Sequence, residues 1–234
     1  MARLPRLAVG GYPHLVTHRA ASRRLIADDE DARRLLDDLR LAMDEANVAL
    51  HAFVLLPCGL WLLATPNDAG GLGRAMQSLG RRYVRWINDR RSERGGLFAG
   101  RYHAAVIEPE RELLAAMRYV EWQPVRASAA GVPEEYRWSS ARHHVGLAAD
   151  SSLQAHSLYW ALGNTPFERQ AAYRTFLGMG AGSDETTRFE RALAGGWVVG
   201  SPEFLRQIER LCSRRPQRSR AGRPRRLPPA PVVS

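Results

Sequence analysis

Four short apolar segments of the chain predict the strands of a β-sheet. They are Pro13–His18, Val48–Leu56, Leu60–Thr65 and Tyr102–Ile107. Each is a mainly apolar run that is short enough for a buried strand. Pro57–Gly59 separates the second segment from the third and has the residue types of a tight turn. The sequence therefore predicts a β-hairpin flanked by two further strands.

Two longer segments have the spacing of amphipathic helices. The first begins at the acidic run Asp28–Asp31, which a helix dipole favours at an N-terminus, and continues through Leu35, Leu39 and Met43. The second extends from about Leu72 to Arg90. Its apolar residues fall on one helix face and are Leu72, Met76, Leu79, Tyr83 and Ile87. The order of elements is then β-α-β-β-α-β, so the sequence predicts an α+β protein with a ferredoxin-like, antiparallel sheet.

Helices are predicted to predominate after the fourth strand. The expected segments are Glu110–Trp122, Trp138–Val145, Phe167–Leu177, Glu185–Ala194 and Pro202–Cys212. From residue 213 onward Pro, Arg, Gly and Ser dominate without an apolar period, which is typical of a disordered tail. We therefore expect a ferredoxin-like domain over 1–150, a helical extension over 151–212 and a disordered basic tail over 213–234.

The composition narrows the class of protein. With 45% hydrophobic residues, the chain of 234 residues has the composition of a globular protein. It contains no apolar run of about 18 residues, and no apolar segment of a signal peptide follows Arg3 and Arg6. Its two cysteines, Cys58 and Cys212, form no metal-binding or redox motif. These features predict a cytoplasmic protein without a membrane partner.

The positive charge of the chain is concentrated in two places. After Cys212 the chain has seven arginines and no acidic residue, against a net charge of +10 for the whole sequence. Residues 81–94 contain six arginines and only two acidic residues. The candidate phosphate contacts from this cluster and its neighbours are Arg81, Arg82, Arg85, Arg90, Arg91, Arg94, Arg101 and Arg142. A solvated helix face is the alternative, but we favour a surface that contacts DNA phosphates.

The tail contains a short motif of its own. The segment from Arg220 to Arg226 has a Gly-Arg-Pro core between arginines and resembles an AT-hook, which places arginines in the minor groove of A·T-rich duplex DNA. Its candidate contacts are Arg220, Arg223, Arg225 and Arg226. A generic basic tail that binds any polyanion is an equally good interpretation.

Six blocks in a fixed order carry a family resemblance. They are PHLVTHRA (13–20), LHAFVLLPCGLWLL (50–63), RRYVRWINDRR (81–91), GGLFAGRYHA (95–104), RYVEWQPVRA (118–127) and RWSSARHHVG (137–146). Together they resemble the REP-associated tyrosine transposases, a branch of the single-tyrosine HUH transposases, over about residues 1–150. The resemblance implies binding of single-stranded or hairpin DNA, a tyrosine nucleophile at the position of Tyr83, and a divalent metal such as Mg or Mn held by a His-x-His pair.

The chain departs from this family at the metal-binding pair. Gly59 and Trp61 stand where the two histidines are expected, and neither side chain can bind a metal. Cys58 and His51 are conceivable substitutes, although a satisfied strand histidine is the favoured interpretation of His51. We therefore expect no metal and no other cofactor. Tyr83 also lies on the apolar face of its helix, which favours a packing role over a nucleophilic one.

Three functional hypotheses follow from these residues. The favoured one is a DNA-binding protein of the transposase type, for DNA transposition or recognition of REP-type hairpins, that has lost nicking activity. The second is an active, metal-dependent transposase that cuts single-stranded DNA through Tyr83. The third is a decaying transposase remnant without a selected role. A homo-oligomer is compatible with all three.

Overall fold

A computed structural model describes residues 6–212 and 215–217 of the chain. It contains a five-stranded sheet with the spatial order β2-β3-β1-β4-β5. The strands are β1 His14–Arg19, β2 Val48–Leu56, β3 Gly59–Pro66, β4 His103–Ile107 and β5 Val198–Val199. The first four pair antiparallel, whereas β5 adds to β4 in parallel. The order of the first four strands is that of a ferredoxin-like sheet, so the predicted α+β fold is confirmed.

The helices follow the predicted order and add several short turns. They are α1 Asp29–Glu45, α2 Gly71–Arg91, α3 Pro109–Glu121, α4 Gln123–Arg126, α5 Ala141–His144, α6 Ser157–Trp160, α7 Pro166–Gly178, α8 Ser183–Gly195 and α9 Pro202–Leu211. Asp28 caps α1 by accepting hydrogen bonds from the backbone N–H groups of Glu30 and Asp31. Ser92 ends α2 in the left-handed conformation, with φ of 52°.

The sheet is covered by helices on both faces. Side chains alternate along β3, so Leu60 and Leu62 belong to the core under α1 and α2, whereas Trp61 and Leu63 belong to the core under α3, α7 and α8. We refer to these as the α1/α2 face and the α3/α8 face. The α3/α8 face is covered partly by α7 and α8, which belong to the segment that the sequence predicted to be a helical extension.

The helices after residue 150 share a core with the strands. Tyr173 of α7 and Phe189 of α8 are fully buried in the same apolar cluster as Leu15 of β1 and Val54 of β2. β5, which the sequence did not predict, extends the sheet from this region. The predicted boundary at residue 150 remains a prediction, but the segment beyond it packs directly on the sheet.

The edge strand β2 is covered by the chain itself. The N–H of Leu55 donates to the Trp138 carbonyl at 2.9 Å, and the Ser140 N–H donates to the Phe53 carbonyl at 2.9 Å. The helix predicted over Trp138–Val145 is therefore shorter and begins only at Ala141. The preceding residues run along β2 because this satisfies the backbone groups of an otherwise open sheet edge.

Part of the segment predicted to be a disordered tail is ordered. Pro216 is buried, and its carbonyl accepts a hydrogen bond from the Val198 N–H at 2.9 Å. Residues 215–217 thus lie beside the end of β5, which offers a backbone donor that sequence periodicity cannot reveal, and the disorder of the rest of the tail stays a prediction. Within the described residues, no helix combines the length and apolarity needed to span a membrane.

Candidate nucleic-acid interface and the positions of the missing histidines

Gly59 and Trp61 both lie on the α3/α8 face of β3. In the pairing of β3 with β1, Gly59 is opposite Arg19 and Trp61 is opposite Thr17. A Cβ atom at position 59 would lie 3.0 Å from the His18 carbonyl oxygen and 3.5 Å from the Cη2 atom of Trp61. The backbone of His18 and Arg19 therefore limits the space for a side chain at position 59, and the Trp61 indole lies in ordinary van der Waals contact beside it.

The residues around these positions do not fit a divalent metal. Gly59 has no side chain, and the indole nitrogen of Trp61 is only a donor. Among residues 6–212 and 215–217, no group of three or more His, Cys, Asp or Glu side chains is arranged to hold a metal ion. His51 is not a substitute, because its Nδ1–H donates to the Gln154 carbonyl at 2.7 Å and its Nε2 accepts from the Thr65 hydroxyl at 2.8 Å. We therefore derive no reaction step through a metal.

Tyr83 is buried on the opposite side of the sheet from Trp61. It is fully buried in the core of the α1/α2 face, and its hydroxyl donates to the Leu25 carbonyl. Burial raises the pKa of Tyr83 above its usual range, and the nearby Asp31 carboxylate adds to this shift. The structure therefore separates Tyr83 from the Gly59 and Trp61 positions by the thickness of the sheet, and engages its hydroxyl in a structural hydrogen bond.

Tyr119 is a tyrosine that shares a face with Trp61. It lies on α3, is almost fully buried, and belongs to the same apolar cluster. Burial raises the pKa of Tyr119, while the positive charges of Arg126 and Arg19 partly oppose the shift. Arg19, whose charge acts on Tyr119, pairs with Gly59 across the strands. Sequence analysis missed it, although it lies within the block RYVEWQPVRA at 118–127.

An unpartnered hydroxyl lies beside Trp61 on this face. Thr17 is buried, and its Oγ1 has no hydrogen-bond partner among the described residues. Thr17 is opposite Trp61 on β3 and opposite His103 on β4. His103 and Arg19 are exposed, so this end of the sheet has basic groups at its rim.

Three of the predicted phosphate contacts are already engaged with carboxylates. Arg82 forms an ion pair with Glu45 at 2.6 Å, and both Arg90 and Arg91 contact Asp31 at the start of α1. The prediction considered only the acidic residues within 81–94. In the structure α1 lies beside α2 and provides further carboxylates that pair with these arginines. Half of the predicted arginine cluster therefore holds α1 against α2.

Four of the other predicted arginines are exposed. Arg81, Arg85, Arg94 and Arg101 have no carboxylate partner within the described part of the chain. Arg81 and Arg85 are four residues apart on α2 and so share a side of that helix. We call these four residues the arginine surface. Arg142 is half-buried, and its guanidinium donates a hydrogen bond to the Glu134 carbonyl at 3.4 Å.

The four tail contacts predicted from the sequence lie outside the described residues; they are Arg220, Arg223, Arg225 and Arg226.

Comparison with known proteins identifies the fold. No protein-family model matches the sequence, and the search of curated proteins found no match. The solved structure of a REP-associated tyrosine transposase bound to a REP hairpin is similar, with a TM-score of 0.55 and 13% identity over 67% of this chain and 99% of that chain. A candidate transposase of Deinococcus radiodurans R1 matches more weakly, with a TM-score of 0.36 and 18% identity over 55% of this chain and 98% of that chain. The chain thus has a transposase-like fold, which confirms the resemblance at the level of the fold.

Proposed function

We propose that this chain is a DNA-binding protein of the transposase type that binds single-stranded or hairpin DNA without cutting it. The observation that carries this proposal is the pair of residues at the two expected ligand positions: Gly59 has no side chain, and the indole of the neighbouring Trp61 is only a donor. DNA binding is supported by the arginine surface and by the fold shared with a transposase that binds a REP hairpin.

The chemistry of strand cleavage explains why nicking is not proposed. A tyrosine hydroxyl has a pKa of about 10 and must attack an anionic phosphodiester, so a metal ion that polarises the phosphoryl oxygen supplies several kcal/mol. Here the metal ligands are replaced, and burial raises the pKa of both Tyr83 and Tyr119. Deprotonation of either hydroxyl is therefore harder than in water. This disfavours the second hypothesis, an active transposase using Tyr83.

We expect no covalent adduct between this protein and DNA. The purified chain is incubated with labelled single-stranded hairpin DNA and either Mg²⁺ or Mn²⁺, then denatured and separated by gel electrophoresis. A labelled protein band that disappears in Tyr83→Phe or Tyr119→Phe would contradict the proposal and identify the nucleophile. The two single variants are needed because the two tyrosines occupy opposite faces of the sheet.

The arginine surface is expected to carry salt-dependent DNA affinity. Replacing Arg81 and Arg85 together by glutamine should reduce the slope of log affinity against log salt by up to about 1.4 for single-stranded DNA, because each phosphate contact contributes about 0.7. Arg74→Gln is the matched control, since Arg74 is exposed on the same helix but forms an ion pair with Asp68 at 2.6 Å. Equal slopes for the double variant and the unmodified chain would show that this surface does not contact DNA. A complete lack of DNA binding would favour the decaying remnant.

The tail is expected to add sequence-independent affinity for duplex DNA. Removing residues 218–234 deletes five arginines and should lower the duplex salt slope by up to about 4.5, and by roughly half of that if only some contact phosphates. The cut is placed after Gln217 so that Pro216 and its hydrogen bond to Val198 are kept. A full-length chain with the same five arginines replaced by glutamine separates charge from length. An unchanged slope in both variants would assign the tail no role in binding.

A further inference from the structure

A cavity of about 400 Å³ lies between α1 and the segment that covers β2. Its charged lining residues are Arg40, Arg137, Arg142 and Asp150, and Trp138 and His143 are among the others. We call it the Trp138 cleft. It contains none of the arginine surface and neither Gly59 nor Trp61. Its volume is within the range of pockets that hold small ligands.

The Trp138 cleft has an excess of positive charge. Asp150 is its single acidic lining residue, and the Arg40 guanidinium lies 2.8 Å from it and balances its charge. Arg142 has no carboxylate partner in the described part of the chain. Arg137 pairs with Asp29 at 3.0 Å, but both side chains are more than half exposed, and such pairs contribute little. Two arginines are thus available to an anionic ligand.

An aromatic ring is fixed beside these two arginines. Trp138 is half-buried and packs against the core of the α1/α2 face, which holds the indole in place. The Arg137 guanidinium lies 4.8 Å from the centre of its ring. His143 also lines the cleft, and its Nδ1 accepts a hydrogen bond from the Asp150 N–H at 3.0 Å. An aromatic ring next to arginines can stack a nucleobase while the arginines contact its phosphate.

We propose that the Trp138 cleft binds a nucleotide, with the base stacked on Trp138 and the phosphate held by Arg137 and Arg142. Arg137 exchanges its exposed partner Asp29 for the phosphate. The nucleotide is either a free mononucleotide or one unit of a single DNA strand. If the nucleotide is part of a DNA strand, the inference rests on the proposed function. The cleft then adds a contact to single-stranded DNA that does not involve a duplex.

The test uses the full chain with thymidine monophosphate and with octathymidylate. We expect both to bind, and Trp138→Ala to weaken octathymidylate binding about tenfold or more, the effect of losing one stacked base. Arg142→Gln should weaken both ligands. Trp160→Ala and Arg206→Gln are matched controls, because Trp160 is exposed outside the cleft and Arg206 is exposed and paired with Glu203. Neither control should change the affinity.

A second measurement does not depend on the folding of a variant. Octathymidylate with one 5-iododeoxyuridine is irradiated with the unmodified protein, and the linked residue is identified by mass spectrometry. A link to Trp138 supports the site. A link elsewhere, together with unchanged affinity in Arg142→Gln, overturns the cleft while leaving DNA binding intact. Binding of the mononucleotide without any binding of octathymidylate supports the cleft and contradicts the proposed DNA-binding function. Binding of neither ligand overturns the cleft.

Discussion

Replacing Glu121 by alanine is expected to lower the free energy of unfolding by about 3–5 kcal/mol. The carboxylate of Glu121 is fully buried and accepts three hydrogen bonds. Ser140 donates from its hydroxyl at 2.6 Å, His144 from Nδ1 at 2.6 Å, and Tyr173 from its hydroxyl at 2.8 Å. Alanine would leave the His144 and Tyr173 donors buried without an acceptor, whereas the Ser140 hydroxyl can still donate to the Phe53 carbonyl at 3.3 Å. Each unpaired donor costs about 1–3 kcal/mol. Urea denaturation followed by circular dichroism measures the change.

Two further variants separate the hydrogen-bond network from simple loss of charge. Tyr173→Phe removes a single hydroxyl from the network and should cost about 1–2 kcal/mol. Glu190→Ala removes a glutamate from an exposed ion pair with Arg126 and should cost at most about 1 kcal/mol. If Glu121→Ala were no more destabilising than Glu190→Ala, the network would not stabilise the fold. Because Tyr173 lies on α7 and Glu121 lies on α3, this network also connects α7 to α3.

The strands and the two long helices were predictable because their signals are local. Val48–Leu56 is one apolar run, and Leu72–Ile87 keeps its apolar residues on one helix face, so both elements appear in the structure almost as predicted. The bounds of α1 follow from Asp28, whose side chain accepts hydrogen bonds at the N-terminus of the helix. The ferredoxin-like order then follows from the sequence of elements alone.

The features that were not predicted depend on contacts distant in sequence. β5 has only two residues and exists because β4 offers a parallel edge. The ion pairs of Arg90 and Arg91 with Asp31 join residues about sixty positions apart, and no count of charges within one segment can reveal them. The sequence also could not show that Tyr83 and Trp61 face opposite sides of the sheet, because this depends on which face each helix covers.

The protein is expected to lose stability as the pH falls from 6.5 to about 4. Burial lowers the pKa of His14 and of His51 from 6.5 to about 4 in the folded state, and the backbone carbonyls of Tyr12 and Gln154 only partly oppose this. Above pH 6.5 both histidines are neutral in the folded and unfolded chains, so they impose no penalty. Below it the unfolded chain binds protons that the folded chain excludes. Each histidine then removes up to about 3 kcal/mol of stability.

Urea denaturation at several pH values between 7 and 4 tests this, and His51→Gln should flatten the dependence by up to about 1.4 kcal/mol per pH unit. Glutamine keeps a hydrogen-bonding side chain beside Thr65 and Gln154 but does not titrate, so any stability it loses at pH 7 does not grow as the solution is acidified. The pKa values of His18, His143 and His156 are also lowered by burial, so they add to the loss in the same direction. Equal slopes for His51→Gln and the unmodified chain would mean that His51 takes up its proton in the folded state, which would require its hydrogen bond from the Thr65 hydroxyl to break.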